Sequence, residues 1–180
     1  DIGLGFFKPD FYKEKTLLFY PKPTIGKSLY EHQAYDSLVF VHSEMDRHQI
    51  AYAPPYLVPA HLKMDYDILL FRVKRMSKDY FEVVVNESTR RTAFVDRFKG
   101  GMVPWPEFLI TLPSVEFEEG MIQPIKIKPL DHASEVATEK VYKRMRPESI
   151  QGFWLEVSLI NENYQAEGQG WIKWRNEFEL

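Results

Sequence analysis

Cysteine is missing from all 180 positions, which removes disulfide frameworks, thiolate metal sites and thiol nucleophiles together. That absence fits both a reducing cytosol and an exported bacterial protein. No stretch approaches the roughly 20 consecutive apolar residues that a membrane-spanning helix needs. Positive charge is not in excess either: 23 Lys and Arg stand against 26 Asp and Glu, a formal net charge of -3. With no footprint for a phosphate backbone, nucleic acid is not an expected partner. Helical periodicity is scarce, since no run of ten or more residues carries a convincing apolar stripe. Carboxylates suited to hydrolysis are also wanting: Asp65, Asp67, Glu116 and Glu118 fall in no special spacing, and no Ser, His and acid set stands out. The expectation is a non-enzyme, with no catalytic residues, no cofactor and no metal.

What the chain does have is aromatic residues, 13 Phe, 10 Tyr and 4 Trp, a bias that suits pleated, half-buried surfaces. Apolar residues at 44% and charged residues at 27% are ordinary for a folded domain. The length accommodates two small domains. Asp1 rather than Met opens the sequence, so an upstream segment is expected, either a signal peptide since removed or part of a longer chain shortened for expression. Residues 2–12 hold Gly3, Gly5 and three Phe without a sustained period and read as a loose lead-in. Strand-like runs follow at 16–20, stopped by Pro21, and at 35–41. Pro54, Pro55 and Pro59 keep the segment 53–59 out of any sheet or helix interior.

From Asp67 the pattern sharpens. Residues 68–76, 80–86 and 91–97 are strand-length runs joined by connections short enough for antiparallel neighbours. Leu69, Phe71 and Val73 alternate with Arg72 and Lys74, so one face is buried and one is wet. Residues 103–112, with Pro104, Trp105 and Pro106, read as an edge strand or flap. Acidic residues 116–119 and Gly120 mark a junction, giving domains 1–118, with an N-terminal extension and long loops, and 119–180. The second repeats the first: Ile125-Lys126-Ile127-Lys128-Pro129 parallels Leu17-Leu18-Phe19-Tyr20-Pro21, residues 131–140 form a loop or short helical turn, and 139–145, 153–160 and 170–175 repeat the three-strand meander. Lys143-Arg144-Met145 is matched with the Lys74-Arg75-Met76 step.

Each unit therefore shows about five strands, and an all-β fold with sheets closed into small barrels follows. Phe153-Trp154-Leu155-Glu156-Val157 followed by Gly170-Trp171-Ile172, and in the first unit Tyr80-Phe81-Glu82-Val83 followed by Ala93-Phe94-Val95, resemble the bacterial Src-homology-3-like barrel. The first unit departs from that pattern, with Ala93 for the glycine, Phe94 for the tryptophan and a long insertion over 24–67. The resemblance implies two barrels in tandem in an exported bacterial protein, periplasmic or attached to the cell envelope. It implies binding of a cell-wall fragment, as peptide or glycan, or of an envelope protein, rather than catalysis. A cysteine peptidase of the kind fused to such barrels is excluded by composition. The competing expectation is a single larger β-barrel around a small apolar ligand. The sequence does not indicate an oligomeric state.

Tyr52, Tyr56 and Trp105, on proline-rich loops, suit peptide or sugar recognition, although core packing or a domain seam is the plainer role. Trp171 and Trp174 fall on opposite faces of one strand, so one covers an interface or a ligand. These five are the candidate ligand-binding residues. Ala34-Tyr35-Asp36 resembles three residues of the aromatic groove in eukaryotic Src-homology-3 domains, a match short enough to be coincidence. His42, Glu44, Asp46 and His48 are potential metal ligands two residues apart. On one strand the two histidines would stand about 20 Å apart, whereas a helix would pair His42 with Asp46; an exposed polar loop is the plainer reading. Asn86-Glu87-Ser88 matches a glycan acceptor and reads more simply as a hairpin turn.

Overall fold

The structure, a computed structural model, describes residues 2–42, 48–117, 120, 122–137, 142 and 144–175. Among these the chain is all-β but for one seven-residue helix and three 3-10 turns. It divides into two compact units, Asp1–Trp105 and Pro106–Leu180. The junction read from sequence lies further on, and its Glu118 and Glu119 fall outside the described residues. Ahead of Gly120, Val115 already pairs its backbone with Met145 in the second unit.

The first unit contains β1 (Gly5–Pro9), β2 (Thr16–Phe19), β3 (Asp36–His42), β4 (His48–Tyr52), β5 (His61–Lys63), β6 (Ile68–Met76), β7 (Tyr80–Asn86), β8 (Arg91–Asp96) and β9 (Gly100–Pro104). Its main sheet runs β8-β7-β6-β1-β9, with β5 pairing β6 off that path. A second sheet, β2-β3-β4, is joined to it by a bridge between Tyr20 and Phe94. Leu17, Phe19, Leu38, Phe71, Val83 and Val95 are among the side chains from these strands that gather in one buried cluster.

The lead-in expected over residues 2–12 is instead β1, a strand held between β6 and β9. Its alternation is invisible in sequence because both faces are covered, with Phe6 and Phe7 equally buried. Gly5 has a φ of 143°, and a Cβ there would overlap the Val103 carbonyl, so the close approach of β9 requires glycine. The run 103–112 also differs from expectation: β9 ends at Pro104 and helix α1 (Trp105–Thr111) follows at once. Pro106 lies in its first turn, where no amide donor is needed.

The second unit contains β10 (Arg144–Gln151), β11 (Trp154–Ile160) and β12 (Ala166–Lys173), a meander extended by bridges from Val115 to β10 and from Lys126 to β12. Met145, Leu155, Val157, Leu159 and Ile172 form its own buried cluster. None of the three sheets closes on itself.

The two meanders agree in their pairing from Phe81 to Val84 and from Leu155 to Ser158, and part beyond, where the irregularity falls on β7 in the first and on β12 in the second. Phe81 faces Val95, Glu82 faces Phe94 and Val83 faces Ala93 in the first. Leu155 faces Ile172, Glu156 faces Trp171 and Val157 faces Gly170 in the second. Each leading strand bulges at the same place, between Val73 and Arg75 and between Pro147 and Ser149. Phe94 bridges Tyr20 as Trp171 bridges Lys126, two residues out of step with the proline-ended match read from sequence. This registration also corrects the Lys-Arg-Met match. Met145 pairs with Val115 as Phe71 pairs with Phe7, so Met145 takes the place of Phe71. Met145 is fully buried and Met76 is 54% exposed; the shared triplet is five residues out of step. Lys143 itself lies outside the described residues.

Candidate functional site

Four polypeptide segments of the first unit meet around one carboxylate. Asp36, at the start of β3, accepts hydrogen bonds from the hydroxyls of Tyr52 (3.3 Å) and Tyr56 (3.1 Å) and from the amide of Ser37 (2.8 Å). Tyr52 comes from the end of β4, opposite a register irregularity at Val39 and Phe40. Tyr56 comes from the proline-rich segment after it. The side chain of Asn86, at the end of β7, donates to the Tyr56 carbonyl (2.6 Å) and accepts from the Thr89 amide (2.8 Å), which fixes this segment against the β7–β8 turn. Arg91, the first residue of β8, places its guanidinium over the Tyr56 ring, 3.5 Å from its centroid, with the Tyr35 ring centroid 5.9 Å away.

Electrostatics tie the cluster together. The charge of Asp36 raises the Tyr52 hydroxyl above its ordinary pKa. Burial, followed by Tyr35 and Asp36, raises the Tyr56 hydroxyl further. Both phenols therefore stay protonated donors at neutral pH. What the arrangement offers is aromatic surface at exposed Tyr35 and Tyr52, with an exposed guanidinium between ring faces. Such a surface grips the flat or C–H face of a proline, aromatic ring or sugar, while the guanidinium suits a carboxylate.

The remaining candidates are placed elsewhere. Trp105 donates its indole N–H to the Ile2 carbonyl (2.9 Å) and meets Phe6 edge to face at 4.8 Å. Arg72 lies over the same indole and is paired with Glu87 at 3.0 Å. Trp105 is thus a packing residue over the outer face of β1 and β6. In the second unit Trp174 packs against the buried cluster and donates to the Gly152 carbonyl at 3.0 Å. Trp171 projects from the opposite face of its strand and is half-buried.

Sequence reasoning thus found Tyr52 and Tyr56, set the Tyr35-Asp36 step aside as a coincidental match, and missed Arg91. The Tyr35-Asp36 step was the available signal, since a carboxylate beside an exposed tyrosine at a strand start can collect phenol donors from a neighbouring loop. The histidine segment also differs from both geometries considered. His42 and His48 are register partners across the β3–β4 pair, with ring centroids 4.7 Å apart. Glu44 and Asp46 lie outside the described residues. No group of three or more His, Cys, Asp or Glu that could hold a metal is found among the described residues. No helix among them is long and apolar enough to cross a membrane.

No protein-family model matches the chain, and no curated protein or solved structure matches it significantly.

Proposed function

We propose that this chain is a non-catalytic binding or scaffolding module of two Src-homology-3-like barrels in tandem, part of an exported bacterial protein and directed at a cell-envelope peptide, glycan or protein. The barrel reading is supported by side chains of β1, β2, β3, β6, β7 and β8 converging on one cluster, and by two meanders of matching register. The observation that carries the binding reading is the Asp36-centred cluster, in which Tyr35, Tyr52, Tyr56 and Arg91 present ring faces and one guanidinium at the surface. The alternative of one large barrel around an apolar ligand finds less support, because the buried side chains of each unit form their own cluster.

The test is a titration of isotope-labelled protein with soluble peptidoglycan fragments and proline-rich peptides, followed by NMR. Shifts concentrated on Tyr35, Tyr52, Tyr56 and Arg91, lost in Arg91→Ala, are expected. Saturable binding that leaves these residues unmoved, or no response to either ligand class, overturns the assignment.

A further inference from the structure

The geometry points to a two-histidine site for a divalent first-row transition ion of the imidazole-preferring group, zinc, copper or nickel, on the β3–β4 hairpin. His42 and His48 stand directly opposite each other in the antiparallel register, where side chains of one pair project from the same face and their Cβ atoms lie about 4.5–5.5 Å apart. Their rings meet at 4.7 Å with planes at 65°. At that separation one ion could take a nitrogen from each ring.

The His48 ring is also held in place. Tyr12 packs against it at 4.4 Å and Phe11 at 5.6 Å, while the Tyr12 hydroxyl donates to Asp67 at 2.5 Å. Phe11 is itself buried against Phe40 of β3. A ring wedged in this way loses little rotational freedom on ligation, and that pre-organisation favours binding. His42 is exposed at the strand end, and water or exchangeable ligands would complete the coordination shell. With two imidazoles from the protein, affinity should follow the general order for nitrogen ligands, copper above nickel and zinc.

The test uses the whole chain and the metal salts alone. Copper, nickel and zinc chlorides are titrated calorimetrically into wild-type protein, His42→Gln, His48→Gln and His132→Gln, the last removing a histidine of the other unit. The expected result is one saturable site, weakened about tenfold or more by either hairpin substitution and unchanged by His132→Gln. A second readout separates loss of ligation from loss of fold. Where hairpin opening frees the ion, hydrogen-exchange protection at Gln49 and Ile50 should rise about 100-fold at metal concentrations 100 times the dissociation constant. His42→Gln should abolish that rise while retaining the unliganded protection. Absence of saturable binding, binding indifferent to both hairpin substitutions, or unchanged protection under saturating metal each overturns the site.

Discussion

Adding one methyl group at Gly170 sets two opposing effects against each other. The residue is buried in β12, and its backbone lies outside the left-handed region, so alanine fits its conformation. On that ground alone Gly170→Ala should stabilise by about 0.4–1 kcal/mol, by narrowing the unfolded ensemble. A Cβ there, however, would overlap the Cγ2 methyl of Ile125 and lie 3.1 Å from the Val136 Cγ2 and 3.2 Å from the Lys126 carbonyl oxygen. Overpacking of this kind costs about 1–3 kcal/mol. Lys126 is tied to Trp171 by two backbone hydrogen bonds of 2.8 and 2.7 Å, so the obstructing segment cannot simply withdraw. The clash should win, leaving a net loss of about 1–2 kcal/mol. Two units need not unfold together, so the assay is native-state hydrogen exchange at the Leu155, Val157 and Ile172 amides rather than one global transition. Ile125→Leu moves the branch from Cβ to Cγ and removes the offending methyl. It should cost under about 1.5 kcal/mol alone and should recover much of the loss when combined with Gly170→Ala. Increased protection in Gly170→Ala, or a double variant no better than the sum of the two singles, refutes the reasoning.

The registration of the two meanders predicts that Met145→Ala costs about 2–5 kcal/mol as a core truncation, while Met76→Ala, at an exposed site, changes stability by less than about 0.5 kcal/mol. Urea titration followed by unit-specific NMR signals distinguishes the two. Asn86→Ala should cost about 1–3 kcal/mol, because it removes the partners of the Thr89 amide and the Tyr56 carbonyl from a residue only 7% exposed; faster exchange at Thr89 is the local readout. Tyr30 donates to the buried Asp96 (2.9 Å), and burial followed by that bond pushes its hydroxyl up to about 12. A raised folded pKa contributes stability below the ordinary value near 10 and loses it as pH climbs toward 12. Wild-type protein should therefore lose melting temperature above pH 10 more steeply than Tyr30→Phe.

Strands rich in β-branched and aromatic residues were legible. The runs read at 68–76 and 80–86 are β6 and β7, and 91–97 overshoots β8 by one residue, because the Val and Phe content of these segments marks them as strands even where Val84 and Phe94 cover the second face. Strands interrupted by glycine or proline were not. β1 carried no period, and β10 runs through Pro147, which looks like a strand breaker but sits beside the bulge, where its missing donor is tolerated. The start of the run read at 139–145 lies outside the described residues. The Asp36-centred cluster was half legible for a related reason. Exposed tyrosines near prolines can be picked out locally, whereas Asp36 and Arg91 join them only through long-range strand pairing that no local spacing encodes.

The shared bulge is what reconciles the sequence of each leading strand with its core. Strict alternation from Phe71 and Val73 would turn Arg75 inward, and from Met145 and Pro147 it would turn Ser149 inward. An extra residue at Lys74 and at Glu148 shifts the pairing by one. Arg75 then faces Glu82, with an ion pair at 3.5 Å. Ser149 faces Glu156, to which its hydroxyl donates at 2.6 Å. Glu82 and Glu156 occupy the same position in β7 and β11, flanked in both by inward apolar residues, Phe81 and Val83 or Leu155 and Val157. A polar residue where the core period calls for an apolar one would be a defect in a regular strand, and it occurs at the same step in both units. Each unit meets it with the same one-residue insertion and the same carboxylate partner. That coincidence is stronger evidence for a duplicated meander than the Lys-Arg-Met triplet, because it depends on pairing geometry rather than on composition.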